Sequence, residues 1–150
     1  MSERRTPTRS EFVHWRTMTT RWHDDDAYGH MNNATYYELF DTAVNAYLFE
    51  STGTNVRRLP QIGVMAETSC RYLREIGFPA PVDVGMVIDK IGTSSVIYRI
   101  GLFQGDGDEA AAEGRIVHVY VDNTTPSRPV TPIPDIIREA ITPIYRPPAE

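Results

Sequence analysis

At 150 residues, with 41% apolar and 23% charged residues, the chain has the length and composition of one globular domain. Its net charge of −5 argues against sequence-independent nucleic-acid binding, because neutralising phosphates requires a basic surface. The lone Cys70 excludes an intramolecular disulfide, and no apolar segment resembles a secretory signal or a membrane span, so a cytoplasmic protein is expected.

The first segments along the chain predict a flexible tail, a strand and a loop. Residues 1–10 are polar and are expected to be flexible, which places a single domain at residues 11–145. Residues 12–23 alternate between two sets of side chains with the period of a β-strand. A loop at residues 24–32 follows, and Asn32 or Asn33 is then suited to cap a helix with its side-chain carbonyl.

A long helix is predicted from residue 33 to about residue 50. Its apolar residues recur at helical spacing over a broad arc and leave a narrow polar stripe. Gly53 is placed to end the helix, because glycine readily adopts the left-handed conformation of a C-cap. We expect so wide an apolar surface to be covered by another layer. The arc consists of Tyr36, Tyr37, Leu39, Phe40, Ala43, Val44, Tyr47 and Leu48.

After the helix the pattern changes to the period of two that indicates strands. In the first of these strands the even-numbered residues from Ile62 to Tyr72 are expected to share one face, with Glu67 and Ser69 on the other. Short connections between long strands favour antiparallel pairing. The four predicted strands are 61–74, 82–92, 95–104 and 111–122.

The end of the chain completes an α+β pattern. The Pro-rich segment 126–134 is expected to be an extended strap, and residues 135–142 a short terminal helix. One long helix against one twisted antiparallel sheet makes a two-layer α+β domain. Such a sheet leaves one face without cover, and a dimer is therefore expected.

The loop before the long helix concentrates three aspartates and two histidines, which raises the question of a metal site. Neighbouring residues of an extended segment point to opposite faces, so Asp24 and Asp26 could converge but Asp25 could not join them. An EF-hand is not supported, because Tyr28 and Thr35 stand where oxygen ligands belong. No metal site is therefore expected.

Asp26 is the carboxylate best placed for catalysis. It lies three residues before Gly29 and next to the predicted helix start, where it could act as a general base or a nucleophile. The N-terminus of the helix could meanwhile polarise a carbonyl oxygen. Asp24 and Asp25 are expected to cap turns, to face solvent or to pair with Arg21.

The run R-W-H-D-D-D-A-Y-G-H-M-N-N-A-T-Y-Y-E-L-F-D-T-A resembles the signature of the 4-hydroxybenzoyl-CoA thioesterase family, within the hotdog-fold superfamily. It is most similar to the long-chain acyl-CoA thioesterases that carry a G-H-x-N-N-x-x-Y segment. The run 128–134 resembles the family's strap before its last helix. Over residues 12–142 the resemblance implies a hotdog fold: a long central helix wrapped by a twisted antiparallel sheet, then a short C-terminal helix. It also implies a homodimer or homotetramer with active sites at the dimer interface.

The same resemblance implies hydrolysis of an acyl-CoA thioester to the free acid and CoA, with no cofactor or metal. The catalytic carboxylate falls on Asp26, as general base or nucleophile, and the backbone N–H that polarises the carbonyl falls on Asn33. Some relatives have a histidine at the position of Asn33, which makes His30 a candidate to assist catalysis. Gly29 allows the loop to approach the substrate closely.

Substrate contacts are expected from the helix, a strand and the arginines. Tyr36, Tyr37 and Phe40 would line the acyl pocket, and Ser69 is a candidate contact from the first strand after the helix. CoA is polyanionic, so an acidic chain needs local arginines to bind it. The candidates are Arg57, Arg58, Arg71, Arg74 and above all Arg128. The alternative hypothesis is a non-catalytic module of the same fold that binds acyl-CoA or an acyl carrier.

Overall fold

The computed structural model describes residues 5–149 as a five-stranded antiparallel sheet with one long and one short helix. The strands are β1 (His14–Met18), β2 (Gln61–Tyr72), β3 (Val82–Ile91), β4 (Ser95–Phe103) and β5 (Ala112–Asp122). The helices are α1 (Asn33–Thr52) and α2 (Asp135–Ile141). Across the sheet the strand order is β1-β3-β4-β5-β2, and each neighbouring pair is antiparallel. The predicted α+β hotdog architecture is confirmed.

The long helix α1 begins and ends where its sequence predicts. Asn32 is the N-cap, and its side chain accepts a hydrogen bond from the Ala34 N–H at 2.9 Å. Gly53 ends the helix in the left-handed region, with φ 65°, and its N–H donates to the Phe49 carbonyl. No helix within residues 5–149 is long and apolar enough to cross a membrane.

The main core lies between α1 and the sheet. The central strands contribute side chains that are entirely buried, each of which stabilises the fold by about 1.5–3 kcal/mol relative to an exposed position. The hydroxyl of Tyr47 on α1 donates to the Ala140 carbonyl at 2.6 Å, which ties α1 to α2. The fully buried residues of β3 and β4 in this core include Met86, Ile88, Val96, Tyr98, Ile100 and Leu102.

The side chains of β2 do not keep the single alternation predicted for residues 61–74. The pairing of β2 with β5 shifts register between Met65 and Glu67. Gly63 faces the helix side before the shift, and Cys70 faces it afterwards, opposite Gly114. The prediction of one face from Ile62 to Tyr72 is therefore wrong, because a bulge adds one residue and reverses which positions point inward.

The strand predicted at residues 12–23 is shorter in the structure. It ends at Met18, and Trp22–Asp24 form one turn of 3₁₀-helix. The Asp24 carboxylate accepts from the backbone N–H of Arg21 at 2.8 Å and so closes this turn. A local side-chain-to-backbone bond thus replaces the sheet hydrogen bonds that a longer strand would need.

Part of the segment predicted to be a flexible tail contacts the sheet. Residues 1–4 lie outside the described residues. Thr8 forms a β-bridge with Glu109, and the Arg9 guanidinium donates to the carbonyls of Gly105 and Gly107 at 2.9 Å each. Contacts with the sheet therefore begin before residue 11, the predicted start of the domain.

Candidate active site

Asp24 and Asp25 fix the loop that joins β1 to α1. Asp24 is buried, and burial acts to raise its pKa, but hydrogen bonds and the charge of Arg21 outweigh burial and hold the pKa below its ordinary value. The Asp25 carboxylate accepts from the Phe78 N–H at 3.2 and 3.3 Å. Both carboxylates support the loop, and the pairing of Asp24 with Arg21 is one of the roles that the sequence predicts.

Within residues 5–149 no group of three His, Cys, Asp or Glu side chains is arranged to hold a metal ion.

Asp26 is exposed and organises the tip of the same loop. Its Oδ1 accepts from the backbone N–H groups of Tyr28 at 2.8 Å and His30 at 3.3 Å. Its carbonyl accepts from the Gly29 N–H at 3.1 Å, and Gly29 has φ 81°, a conformation that favours glycine. The second carboxylate oxygen, Oδ2, has no hydrogen-bond partner in the described part of the chain. One oxygen therefore holds the loop and the other remains available to substrate or water.

The start of α1 presents an unpaired backbone N–H. The Asn32 N–H donates to the Asp24 carbonyl at 2.8 Å, and the Ala34 N–H donates to the Asn32 side chain. Among residues 5–149 the N–H of Asn33, which lies between them, has no acceptor. A free N–H at the positive end of a helix dipole can stabilise an oxyanion.

Asp26 and Asn33 line one surface groove, here called the loop groove. It has a volume of about 560 Å³ and lies where the β1–α1 loop meets the end of β2. The structure therefore brings together five of the predicted site candidates, which are Asp26, His30, Asn33, Tyr36 and Arg74. The lining residues are Asp26, His30, Met31, Asn33, Tyr36, Tyr72, Leu73, Arg74 and Glu75.

Two contacts connect the loop groove to β2 and the segment after it. The His30 Nε2 lies 2.9 Å from a carboxylate oxygen of Glu75. The Tyr72 hydroxyl donates to the Asn33 side chain, and the Tyr72 ring packs edge-on against Tyr36 with ring centroids 5.0 Å apart. Sequence reasoning missed Glu75 and Tyr72 as site residues, because nothing local to either residue indicates which loop its strand end will meet.

Two of the predicted aromatic pocket residues do not line the loop groove. Phe40 is fully buried and lies against Gly114 of β5, on the core side of α1. Tyr37 packs edge-on against Phe40, with ring centroids 5.9 Å apart. The expectation that Phe40 lines an acyl pocket does not hold for this groove, because at helical spacing its side chain points into the sheet rather than toward the loop.

Ser69 and Arg128 also lie away from the loop groove of their own chain. Ser69 pairs with Arg115 in the sheet, on the face turned away from α1. Arg128 is exposed in the turn after β5, with φ 45°, beside the Gln61 end of β2. The loop groove lies at the Tyr72 end of β2, opposite the end beside Arg128, and Ser69, although near Tyr72, points to the other face of the sheet, so neither side chain lines the groove within one chain.

The comparisons with known proteins agree with this architecture. The family model described as the thioesterase-like superfamily matches residues 20–141. A solved structure of the PA5185 protein from Pseudomonas aeruginosa strain PAO1 is 42% identical over 94% of this chain and 97% of that chain, with a TM-score of 0.87. The PA2801 protein from Pseudomonas aeruginosa, described as a candidate thioesterase, is 31% identical over 87% of this chain and 99% of that chain, with a TM-score of 0.77.

A more distant structure shares the fold. The BH1999 gentisyl-coenzyme A thioesterase is 21% identical over 86% of this chain and 100% of that chain, with a TM-score of 0.74. The comparison with curated proteins gives no match. With a family model covering most of its length and a relative at 42% identity, the chain belongs to the thioesterase-like superfamily and is a thioester hydrolase.

Proposed function

We propose that the protein hydrolyses acyl-CoA thioesters in the loop groove, with Asp26 as general base or nucleophile and the Asn33 N–H as oxyanion donor. The observation that carries the proposal is that Asp26 and Asn33 line the same groove, and that the Asp26 Oδ2 and the Asn33 N–H have no hydrogen-bond partner within residues 5–149. A thioester carbonyl that accepts from Asn33 would have its carbon open to attack from the side of Asp26.

Two routes use this geometry. In the first, Asp26 removes a proton from water as the water oxygen attacks the thioester carbon. In the second, the carboxylate attacks directly and forms a mixed anhydride that water then opens. In both, the developing oxyanion is stabilised at Asn33, an effect worth about 3–4 kcal/mol for a well-placed donor. The CoA thiolate is a good leaving group, so a strong general acid is not required.

A homodimer formed through β2 would complete the site. β2 is an edge strand, and its residues Met65–Ser69 are exposed although this segment, bulge included, pairs with β5. An exposed edge with unpaired backbone groups favours pairing with another strand. Antiparallel pairing with β2 of a second copy would place the partner's Gln61 end beside this chain's Tyr72 end. A homotetramer would require a further contact between two such dimers.

This pairing supports Arg128 as a residue that binds CoA phosphates. Its guanidinium has no acceptor among the described residues, whereas Arg74, which lines the loop groove, pairs with Glu109 at 3.2 Å. In an antiparallel dimer the Arg128 of one copy would approach the loop groove of the other. For the acyl group, the geometry favours Tyr36 over Tyr37 and Phe40, because only Tyr36 of the three lines the groove.

The decisive experiment measures thiol release from a panel of acyl-CoA thioesters by wild type and Asp26→Asn. Asparagine retains Oδ1, which can still accept from Tyr28 and His30, so the loop should keep its shape. We expect kcat to fall by roughly 10²–10⁴-fold, the usual contribution of a positioned base. Asp25→Asn, which can still accept from the Phe78 N–H, is the matched control and should stay within about threefold of wild type.

Two results would contradict the proposal in different ways. Full activity of Asp26→Asn would remove Asp26 from the mechanism. Binding of acyl-CoA without thiol release, from CoA and carrier-protein thioesters alike, would instead favour the non-catalytic binding module. Single turnover in ¹⁸O-labelled water detects the anhydride route when water attacks the Asp26 carbon of the anhydride, because the product acid then carries an unlabelled carboxylate oxygen from Asp26 and the label enters Asp26.

A further inference from the structure

A second cavity lies beneath α1, away from the loop groove. It has a volume of about 140 Å³, is partly open to solvent, and is lined by α1 and the segment after it, α2, the Gln61 end of β2 and β5. Apolar cavities of about 150 Å³ bind a molecule the size of benzene. The walls here are mixed: Leu48, Val56 and Ile137 are apolar, whereas Asn45 and His118 are polar and Arg57 is charged. The cavity therefore suits a compact apolar group that carries a hydrogen-bonding atom.

His118 supplies an unsatisfied polar atom at the wall of this cavity. The side chain is 5% exposed, and its Nδ1 has no hydrogen-bond partner among the described residues. Burial lowers the pKa of His118, and the charge of Asp41 only partly opposes this, so the ring is neutral near pH 7. Buried polar atoms are normally hydrogen-bonded, and an exception indicates a missing partner.

Gly63 keeps the polar end of the cavity open. A Cβ at this position would lie 3.2 Å from His118 Nδ1 and 3.1 Å from the Tyr120 ring. Such distances are tighter than ordinary van der Waals contacts, so any side chain at Gly63 would crowd the unpaired nitrogen. The space beside His118 Nδ1 therefore depends on the glycine.

The position of the cavity connects it to the loop groove of a second copy. Gly63 lies near one end of β2 and Tyr72 at the other, about 30 Å apart along an extended strand. Along the sheet side of α1 the fully buried Phe40 and Val44 lie between Tyr36 of the groove and Leu48 of the cavity, so the packed core separates the groove from the cavity within one chain. Antiparallel pairing of two β2 strands would instead bring the cavity of one copy next to the loop groove of the other.

We infer that this cavity receives the far end of the acyl group bound in the partner's loop groove, and that His118 selects acyl groups with a terminal hydroxyl or carbonyl. The inference rests on the proposed function and adds a specificity-determining residue and a substrate class to it. A hydroxyl at the end of the acyl group would give His118 Nδ1 the partner it lacks in the structure. An unsubstituted acyl group would leave that nitrogen unpaired and is therefore discriminated against.

The first test measures binding of phenol and benzene to the full-length protein by ¹⁵N NMR of the histidine side chains. We expect phenol to shift the His118 imidazole resonances and to bind at least tenfold more tightly than benzene. Gly63→Ala should weaken phenol binding about tenfold, whereas the control Gly107→Ala should not change it. No His118 shift at millimolar phenol would overturn the inference and leave the cavity as a site for water.

The second test compares kcat/KM for 6-hydroxyhexanoyl-CoA and hexanoyl-CoA. Wild type should favour the hydroxylated thioester roughly tenfold, and His118→Leu should reduce this ratio to about one. His14→Leu is the matched control, because the buried Nε2 of His14 also has no partner in the described part of the chain but His14 does not line the cavity, and this variant should keep the wild-type ratio. A ratio near one in wild type, or an unchanged ratio in His118→Leu, would overturn the inference.

The two tests separate failure of this inference from failure of the proposed function. If no thioester is hydrolysed but phenol shifts His118, the proposed function fails while the ligand pocket stands. If thioesters are hydrolysed without terminal-group preference and phenol does not bind, only the assignment of the cavity fails.

Discussion

Phe40 of α1 lies directly against Gly114 of β5, so that a Cβ at the glycine would come within 2.5 Å of the phenyl ring. The ring is fully buried. This contact sets how closely the long helix approaches the sheet, and it explains why Phe40 belongs to the core rather than to the groove in which Asp26 lies.

Gly114→Ala is therefore expected to destabilise the fold. The added methyl group must displace a buried ring that packing holds in place, and overpacking of this kind typically costs about 1–3 kcal/mol. Chemical denaturation should show this loss in the free energy of unfolding. Gly107→Ala is the control, because its Cβ would meet only the Arg74 side chain at 3.8 Å. Equal stability of the two variants would contradict the packing seen here.

A pair of glycine variants tests whether the loop tip matters for catalysis. Gly29 has φ 81° and Gly53 has φ 65°, and neither Cβ would meet an atom within 4 Å. Alanine at either position should cost about 1–2 kcal/mol of stability through backbone strain alone. Only Gly29→Ala should also lower kcat/KM, by roughly tenfold, because Gly29 shapes the loop that carries Asp26. If both variants lose activity equally, the effect comes from stability.

The buried histidines predict how stability depends on pH. Burial lowers the pKa of both His14 and His118 below 6.5. At His14 the charge of Arg16 lowers the pKa further, and the charge of Glu50 partly opposes the shift. At His118 the charge of Asp41 partly opposes it. Below pH 6.5 the unfolded chain then binds more protons than the folded one, so stability is full above that pH and is lost as the pH falls.

Urea denaturation at pH 7.5, 6.0 and 5.0 measures this loss. We expect the free energy of unfolding to fall by an amount on the order of 1 kcal/mol over this range, mainly through His118. The pKa values of Glu11 and Asp24 lie below 4.5 and 3.8, so their contributions persist throughout this window. His118→Leu should flatten the pH dependence, and an unchanged slope would exclude His118 as its source.

The proposed dimer predicts that a charge on the edge of β2 will separate the copies. Met65 is 44% exposed on this edge, and lysine is a residue that natural edge strands use to prevent pairing. Light scattering should give Met65→Lys a mass near the 17.0 kDa of one chain, with loss of thioesterase activity. Val13→Lys, beside the opposite edge strand β1, should keep the mass of wild type. An active, oligomeric Met65→Lys would contradict the β2 interface.

The sequence predicted those elements whose signals are local. The caps at Asn32 and Gly53 fix the ends of α1, because a side-chain carbonyl and a left-handed glycine act within one turn. The bounds of β2, β3, β4 and β5 were predicted to within about two residues, whereas β1 ends five residues before its predicted end. The alternation of β2 failed at Ala66, since a bulge depends on the register with β5 and leaves no local mark.

The candidate site also combines features that local sequence predicts with features that depend on the tertiary structure. The sequence by itself determined that Asp26 and the helix start at Asn33 lie close together, because only six residues lie between them and these include a glycine turn. Only the tertiary structure decided that Tyr72 and Glu75 border the same groove, that Phe40 lies in the core and that Ser69 faces away. Those facts depend on which strands become neighbours in the sheet, and strand order is set by the packing of the whole chain rather than by any short stretch of it.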